Sequence, residues 1–336
     1  MSDRVLGAPI PSNDEDRVEN LRSYAVLDTQ PEEAFDRITR LLSALLDMPI
    51  ALVSLIDGER QWFKSSVGLD VDETPREQAF CGYAILDDVV LTVSDATLDD
   101  RFADNPLVTD DPGIRFYAGA PLTTREGFNV GTLCVIDRKP RTLDEGQLAI
   151  LRDFAALALR ELELHKAAAT DGLTGVFNRS GLTAAGQSEV ARAHRHGSPL
   201  SLAIIDVDHF KDINDSYGHA GGDIALRRVA EVCRSAVRSK DVVGRLGGDE
   251  FGLLLPGADA RVAGEVARRI ASEVRGAELL PTDDRTPITL SIGVASLEAG
   301  EVDRTEAWAR ADTALYQAKE TRDAVVIYGQ RSAAGG

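Results

Sequence analysis

Two adjacent acids, Asp249 and Glu250, lie in the segment RLGGDEFGLLL, directly after two glycines. The stretches on either side, DVVGRLG and FGLLLP, predict the two strands of a hairpin that carries the acids at its tip. Like charges this close repel each other, so the acids require a compensating positive charge. Gly247 and Gly248 relax the geometry of the turn and allow another molecule to approach the backbone closely.

Further ligands for a cation follow another predicted strand, LSLAIIDVD, which ends in Asp206 and Asp208. We expect these two side chains to lie on opposite faces of the strand, so that only Asp206 faces the hairpin tip. If the strand neighbours the hairpin, Asp206 converges with Asp249 and Glu250, and three carboxylates together suit Mg²⁺ or Mn²⁺. With Lys211 beside them as a phosphate contact, the acids predict phosphoryl or nucleotidyl transfer.

The acids of these two segments are also compatible in number with a calcium site or with a solvated surface. A calcium-binding EF-hand is excluded, because Phe210 stands at its fifth position and Lys211 at the sixth, where a glycine is required. An acidic hairpin that is simply solvated, with nearby aspartates capping helices, stays open on the motif alone.

The elements that must position these residues form two groups along the 336-residue chain, which is long enough for about two domains. Residues 20–140 contain a helical stretch and several short apolar strands, which is typical of an α+β domain with an antiparallel sheet. After residue 170, strands alternate with amphipathic helices, which predicts a sheet covered by helices. The predicted fold class is therefore α+β, with two α/β sandwich-type domains joined by a helical connector.

The connector carries two apolar rows at helical spacing. The first apolar row follows the 3-4 spacing of a coiled-coil seam and consists of Leu148, Leu151, Ala155, Ala158, Leu162 and His165. The second apolar row lies beside it and consists of Ile150, Phe154, Leu157 and Leu164. Either the helix packs only on its own domain, or it also pairs with a second copy of itself. We favour pairing, because the helix joins two domains without a flexible linker.

Composition narrows the partners and the location. The net charge of −18 argues against nucleic acid or an anionic membrane as the main partner. No apolar run approaches the roughly 20 residues of a membrane helix, and the acidic N-terminus is unlike a secretory signal, so we expect a soluble, cytoplasmic protein. Cys81, Cys134 and Cys233 are far apart and fit neither a disulfide framework nor a zinc site, so we expect buried, inert thiols.

Five segments resemble, in order, those of the GGDEF domain of diguanylate cyclases: DGLTGVFNR, DVDHFKDINDSYGHAGGD, RLGGDEF, SIGVA and ADTALYQAK. The resemblance covers residues 170–329 and implies that two GTP are condensed into cyclic di-GMP with release of pyrophosphate, using two Mg²⁺ or Mn²⁺ ions per active site. The residues that would hold these ions are Asp206, Val207 through its backbone carbonyl, Asp249 and Glu250. Asp249 or Glu250 would also help to deprotonate the attacking 3′-hydroxyl.

The resemblance also implies contacts with the substrate. Asn214 and Asp223 match the positions that read the guanine edge, which agrees with their hydrogen-bonding groups and would leave adenine unpaired. Structural alternatives are a turn or cap residue for Asn214 and a helix N-cap for Asp223. The residues that would contact the phosphates or the body of the nucleotide are Lys211, Gly247, Gly248, Lys319 and Arg322.

One further segment departs from the family pattern and another matches it. The family continues AKxxGRN, whereas AKETRDA places Arg322 at the glycine position and Asp323 at the arginine position, so Arg322 would reach a phosphate only after a one-residue shift. The segment RSKD, from Arg238 to Asp241, matches the RxxD site at which such enzymes bind cyclic di-GMP and inhibit themselves. The alternative for Arg238 is an arginine favoured by the dipole at a helix end.

Residues 20–164 resemble a GAF sensor domain through YAVLDTQPEEAFDRIT, PIALVSLID, RQWFKSSVG, FCGYAI, RFYAGAPL and VGTLCVID. The resemblance implies a small ligand or a partner protein without naming it, and a purely dimerising domain is the alternative. No histidine precedes His165, which argues against histidine-ligated haem. Gly82 follows Cys81 where bilin-binding relatives carry a histidine. Aromatic residues that could line a pocket are Trp62, Phe63, Phe80, Phe116 and Tyr117.

The predicted organisation is a flexible tail over 1–19, the GAF-like domain over 20–147, the connecting helix over 148–169, the GGDEF domain over 170–329 and a flexible tail over 330–336. We interpret the chain as a diguanylate cyclase regulated by a GAF-type sensor, and as a homodimer because each site holds one GTP. The alternatives are a catalytically silent receptor for GTP or cyclic di-GMP that acts through a partner protein, and an enzyme that makes a different cyclic nucleotide. No second catalytic module follows the closing strand, so we expect no hydrolysis of cyclic di-GMP.

Overall fold

The computed structural model describes residues 7–277, 287–298, 301 and 305–330. The chain divides into two compact units, Met1–Lys166 and Ala167–Gly336. Each unit contains one β-sheet with helices packed against it, which confirms the predicted α+β class. No helix in the described part of the chain is both long enough and apolar enough to span a membrane.

The first unit is built on a six-stranded antiparallel sheet in the order β3-β2-β1-β6-β5-β4. Its strands are β1 (Ile50–Ile56), β2 (Arg60–Val67), β3 (Glu73–Pro75), β4 (Leu91–Val93), β5 (Phe116–Thr123) and β6 (Asn129–Asp137). Its helices are α1 (Asp14–Arg22), α2 (Glu33–Leu46), α3 (Phe80–Ala84), α4 (Pro106–Thr109) and α5 (Glu145–Ala169).

Strand β1 is apolar along almost its whole length because both faces of this sheet are covered. Leu52 and Ile56 belong to a core that includes residues of α3, whereas Val53 and Leu55 belong to a core that includes residues of α2 and α5. This alternation follows from the two-residue period of a strand. The sheet therefore separates two cores within one unit.

The first apolar row of the connector packs inside its own unit. Leu151, Ala158 and Leu162 are fully buried in the same core as the sheet. Leu157 and Leu164 of the second apolar row are instead 51% and 55% exposed. The first apolar row therefore covers its own sheet, and pairing of the connector with a second copy stays a prediction.

The N-terminal segment is not a loose tail over its whole predicted length. Residues Asp14–Arg22 form α1, and Arg17 is only 2% exposed. Its Nη1 donates to the Ile56 carbonyl at 2.6 Å, and Asp14 accepts two hydrogen bonds from Arg76, at 2.6 and 2.7 Å. The partners lie 39 and 62 residues away in sequence, so local spacing could not reveal them. Residues 1–6 and 331–336 lie outside the described residues.

The second unit is built on a five-stranded sheet in the order β11-β10-β7-β9-β8. Its strands are β7 (Leu200–Val207), β8 (Val242–Gly247), β9 (Glu250–Pro256), β10 (Leu290–Ser296) and β11 (Val325–Ile327). Its helices are α6 (Arg179–His196), α7 (Phe210–Ala236), α8 (Ala260–Gly276) and α9 (Thr305–Thr321).

Strand β7 is the central strand and pairs antiparallel with β9 on one side and β10 on the other. Ala203 and Ile205 pack into a core with α7 and α8, whereas Leu202 and Ile204 pack into a core with α6 and α9. By the same alternation Asp206 lies on the side of the sheet that carries α6 and α9. The sheet thus brings the carboxyl end of β7 to the edge at which the β8–β9 turn lies.

Candidate functional site

The adjacent acids lie at the tip of a hairpin, as the sequence predicts. Gly247 pairs with Glu250, and the register of β8 shifts between Arg245 and Gly247. Gly247 has a φ of 144° and Gly248 a φ of 55°, values that side chains rarely allow. A Cβ atom at either glycine would meet nothing within 4 Å, so the backbone of the turn is open to an approaching molecule.

Asp206 lies directly across from this hairpin. In the register of β7 and β9 its partner is Glu250. The next residue of β7, Val207, donates its backbone N–H to the Asp249 carbonyl at 3.3 Å. The predicted juxtaposition of the strand end with the acidic hairpin is therefore present.

Asp208 points elsewhere, as expected. It accepts hydrogen bonds from the Thr289 and Ser291 hydroxyls, both at 2.7 Å, and from the Asp323 backbone N–H at 2.9 Å. Residues two apart share a face in a regular strand, but β7 ends at Val207, and the chain turns before Asp208. Asp208 is thus a structural residue that ties together the ends of neighbouring elements.

Lys319 supplies positive charge to the acidic site. Its Nζ lies 2.6 Å from Asp206 Oδ2. Burial, together with the charges of Asp249 and Glu250, raises the pKa of Asp206 despite the hydrogen bond from Lys319. The pKa of Lys319 is also raised, because the three acids outweigh the effect of its burial.

The side chains do not form the compact three-carboxylate group expected from the sequence. Among the described residues no three His, Cys, Asp or Glu side chains lie close enough together to hold a metal. Asp206 is instead paired with the Lys319 ammonium. The donor types nevertheless fit a hard divalent cation, since they are carboxylate oxygens and the carbonyl of a strand end.

Arg245 holds the acidic turn, a role that sequence reasoning missed. Its Nε and Nη2 donate to the Gly248 carbonyl at 3.0 and 2.7 Å, and its Nη1 lies 3.3 Å from both carboxylate oxygens of Asp171. Asp171 also accepts from the Thr174 hydroxyl and backbone N–H. The segment DGLTGVFNR is therefore tied to the hairpin about 74 residues further along the chain, a relation that spacing alone could not indicate.

Asn214 and Asp223 lie on two parts of α7 that a kink at Gly218 separates. Gly218 has a φ of 70° and a ψ of 172°, which breaks the helical path. A Cβ atom at Gly222 would lie 2.1 Å from Asn214 Oδ1, so the Asn214 side chain rests against the backbone next to Asp223. Asp223 lies inside the second part of the helix, which rules out the alternative of an N-cap. Both side chains are half-buried.

Of the two predicted phosphate contacts near the start of α7, Lys211 and Arg322, only Arg322 is bonded to a described residue of this region. Lys211 is exposed on the first turn of the helix. Arg322 donates from Nη1 to the ring of His209, with an Nη1–Nε2 distance of 3.0 Å, and His209 is the residue before α7. Arg322 and Asp323 have φ values of 56° and 47°, which suits the glycine expected at position 322 better than an arginine.

The RxxD segment forms a closed turn at the other end of β8 from the acidic hairpin. Asp241 Oδ2 accepts from the Arg238 backbone N–H at 2.9 Å, and the Asp241 N–H donates to the Arg238 carbonyl at 2.9 Å. Burial raises the pKa of Asp241 despite this hydrogen bond and the nearby arginines and lysine. The Arg238 side chain is exposed, so its guanidinium is available to a ligand.

The aromatic residues singled out in the sequence as possible pocket-lining residues belong to the two cores of the first unit. Trp62, Phe63, Phe80, Phe116 and Tyr117 are all buried in the two cores. A cavity of about 300 Å³ lies elsewhere, between β5 and α5, and its lining includes Val90, Ala120, Arg152 and Leu159.

Two family models match the chain. The model described as "Diguanylate cyclase, GGDEF domain" matches residues 168–324, and the model described as "GAF domain" matches residues 30–162. The order and the approximate extent of both matches agree with the resemblance drawn from the sequence.

Curated relatives come from several bacteria. The Pseudomonas aeruginosa protein named cyclic di-GMP phosphodiesterase PA2567 is 34% identical over 309 residues, which are 90% of this chain and 51% of the relative. The diguanylate cyclase DgcP of the same species is 39% identical over 152 residues, 45% of this chain and 22% of the relative. The chain therefore spans only part of the length of these relatives.

Solved structures of GGDEF domains also resemble the chain. The GGDEF domain of DgcB from Caulobacter crescentus, in complex with c-di-GMP, is 34% identical. The match covers 48% of this chain and 94% of that chain, with a TM-score of 0.46.

Proposed function

Because the chain belongs to the proteins that carry a GAF domain followed by a GGDEF domain, we propose that it is a diguanylate cyclase. It condenses two GTP into cyclic di-GMP and two pyrophosphates, and the GAF domain regulates this reaction. The observation that carries the proposal is the position of Asp206 opposite Glu250, with Val207 hydrogen-bonded to Asp249.

In each of two bond-forming steps, the 3′-oxygen of one nucleotide attacks the α-phosphorus of the other. An O–P bond forms, the bond from phosphorus to pyrophosphate breaks, and the 3′-hydroxyl loses its proton to Glu250 or Asp249. Asp206, the Val207 carbonyl and the two hairpin acids would hold Mg²⁺ or Mn²⁺. When bound, such ions neutralise charge on the triphosphate.

Two lysines, Lys319 and Lys211, neutralise the remaining negative charge of the phosphates. Lys319 is paired with Asp206 here, and its ammonium would contact a phosphate when Asp206 holds a metal ion. Lys211 is exposed beside the strand end and supplies a second ammonium. In a chain with a net charge of −18, such local positive groups are required to hold a nucleotide triphosphate.

Guanine specificity is assigned to Asn214 and Asp223. An amide and a carboxylate together can pair with the O6 acceptor and the N1–H and N2–H₂ donors of guanine. Adenine would leave these protein groups unpaired, which disfavours it strongly. The contact between Asn214 and Gly222 fixes the side chain next to Asp223, as this pairing requires.

The reaction requires two copies of the catalytic unit, since each site holds one nucleotide and each nucleotide attacks the other. Arg238 and Asp241 form a second ligand site, at which the product inhibits the enzyme. The Asp241 carboxylate already holds the turn through the Arg238 backbone, which leaves the guanidinium for the product.

A second candidate is a receptor that binds GTP or cyclic di-GMP without catalysis. One observation favours it: Lys319 is paired with Asp206, one of the residues that would hold the metal ions. The relative aligned over 90% of this chain is named a phosphodiesterase, so its name gives no support to cyclase activity. Such a receptor would bind the nucleotide and leave it unchanged.

The test is incubation of the purified full chain with GTP and Mg²⁺, followed by chromatography and mass spectrometry. We expect cyclic di-GMP and two pyrophosphates for each product molecule, and no product from ATP alone. Folded protein that binds GTP but leaves it intact would identify the receptor instead, and a different cyclic nucleotide would exclude the proposed reaction.

A further inference from the structure

Two cysteines that are far apart in sequence meet inside the first unit. Cys81 lies on α3 and Cys134 on β6, 53 residues further along the chain, and their Sγ atoms are 3.8 Å apart. They are 1% and 0% exposed. The expectation that all three cysteines are buried is confirmed, and two that are far apart in sequence meet in the fold.

Polar groups surround the sulfur of Cys81 within an otherwise apolar core. The Tyr117 hydroxyl donates to Cys81 Sγ at 3.3 Å. The hydroxyls of Ser54 and Thr132 are buried near the same sulfur and have no hydrogen-bond partner within the described ranges. Buried hydroxyls are usually paired, so this arrangement calls for an explanation.

These neighbours favour the thiolate form of Cys81. Burial alone would raise its pKa, but the polar groups beside the sulfur, which are the Cys134 thiol and the hydroxyls of Ser54, Thr132 and Tyr117, lower it below its usual value. Cys134 has a raised pKa, because it donates to the Cys81 sulfur and is itself buried. Because the Tyr117 hydroxyl donates to Cys81, a thiolate is better stabilised at Cys81 than at Cys134, and we assign Cys81 as the sulfur that is oxidised first.

We propose that Cys81 and Cys134 form a redox-active pair, which a peroxide-class oxidant converts into a disulfide within the first unit. The Cys81 thiolate attacks a peroxide oxygen, so that an S–O bond forms, the O–O bond breaks and the leaving hydroxide is protonated to water. The Cys134 sulfur then attacks the Cys81 sulfur, an S–S bond forms, and hydroxide leaves as a second water with the Cys134 proton. The peroxide gains the two electrons that the thiols lose.

The geometry permits this step with small movements. A disulfide has an S–S distance of about 2.05 Å, so the sulfurs must approach each other by less than about 2 Å. Helix α3, which carries Cys81, has only five residues, and the segment that follows it exposes Leu86 and Val89. A helix of little more than one turn has few internal hydrogen bonds, and its local opening would give a small oxidant access to the buried sulfur.

Cys233 provides a matched reference within the same chain. It is buried in the second unit, and burial raises its pKa to about 12. No other cysteine belongs to that unit. A thiol of this kind is expected to stay reduced under conditions that oxidise the Cys81–Cys134 pair.

The test treats the folded full chain with hydrogen peroxide, alkylates the remaining thiols in denaturant and maps the peptides by mass spectrometry. We expect the intact mass to fall by two hydrogen atoms, one peptide pair linked through Cys81 and Cys134, alkylated Cys233, and recovery of three alkylated thiols after dithiothreitol. None of these readouts needs GTP, so the result is independent of the proposed cyclase activity.

Two variants sharpen the test. Cys233→Ala is expected to form the same link, whereas Cys134→Ala is expected to stop at a Cys81 sulfenic acid that dimedone traps. Circular dichroism before and after oxidation verifies that the chain stays folded. Alkylation of both Cys81 and Cys134 after treatment of the native chain, or links that involve Cys233 or two chains, would overturn the proposal.

Discussion

At the scale of single residues, Lys319 neutralises part of the negative charge of the acidic site. The sequence indicates metal ions as the compensation for three acids, whereas the structure places an ammonium 2.6 Å from Asp206. Lys319 lies one helical turn beyond Leu315, which packs on the same side of the sheet. That spacing could have revealed the pairing if the helix and the strand had been known to be neighbours.

We expect Lys319→Met to increase the affinity of the nucleotide-free protein for Mg²⁺, because the metal no longer competes with the ammonium for Asp206. The same change should lower kcat/KM for GTP by at least about tenfold, since a phosphate contact is lost. Titration calorimetry with Mg²⁺ and steady-state rates measure the two effects. Lys211→Met is the control, because Lys211 is exposed and should affect only GTP. Unchanged Mg²⁺ affinity in Lys319→Met would contradict this competition.

Arg238→Ala tests the proposed product site. The turn should survive the change, because Asp241 is bonded to the backbone of residue 238 and not to its side chain. We expect the concentration of cyclic di-GMP that halves the rate to rise by at least about tenfold, the value of one lost charged hydrogen bond. Arg228→Ala, a change at an exposed arginine on α7, is the control. Equal inhibition of both variants would show that the product binds elsewhere.

At the scale of elements, the backbone of α7 positions Asn214 and Asp223, the two residues assigned to guanine binding. The sequence predicts the helix after Gly222 and assigns Asn214 and Asp223 from resemblance, but it does not predict the kink at Gly218 that separates their segments. The kink depends on one residue with a positive φ. A glycine permits this conformation, but its presence in the sequence does not show that the helix is kinked there.

Gly222→Ala should displace Asn214, because the new Cβ atom would lie 2.1 Å from its Oδ1. Since alanine favours helices over glycine by about 1 kcal/mol, the fold should be retained while KM for GTP rises by about tenfold, the value of one hydrogen bond of about 1.4 kcal/mol. Gly276→Ala is the matched control, because nothing lies within 4 Å of its Cβ position. Equal KM values in the two variants would separate Asn214 from substrate binding.

The Asp171–Arg245 pair links the start of the second unit to the hairpin, and it predicts a pH dependence. The pKa of Asp171 is lowered, because its bonds to Thr174 and the nearby Arg245 outweigh its burial. A lowered pKa stabilises the fold above the usual value of 3.8, and this contribution disappears as the pH falls through the folded value.

Asp171→Asn should therefore cost about 1 kcal/mol of unfolding free energy at neutral pH, and its difference from the native chain should vanish in acid. Urea unfolding over a pH series measures this difference. Glu231→Gln, which removes an exposed ion pair with Arg228, should stay within about 0.5 kcal/mol of the native chain. A difference for Asp171→Asn that persists below the folded pKa would show that the pair acts through packing and not through charge.

At the scale of the whole molecule, the sequence predicts the order of the two domains and the sheet-and-helix class of each. It also predicts that Asp206 faces the hairpin, because ordered motifs and strand periodicity are local signals. It fails where contacts join distant segments: α1 with Arg76, Arg245 with Asp171, and Cys81 with Cys134. The connector illustrates the same limit, since its spacing identifies a helix correctly but does not say whether the apolar row covers its own sheet or a second copy.

The most direct measurement is the initial rate of cyclic di-GMP formation from GTP and Mg²⁺ by the native chain and by Glu250→Gln, with Glu231→Gln as a surface control. Glu250 lies opposite Asp206, and a glutamine there loses both the negative charge and the ability to accept a proton. We predict native-like rates for the control and a loss of at least about 10²-fold for Glu250→Gln. Equal rates for the native chain and Glu250→Gln, or no product from the folded native chain, would contradict the account.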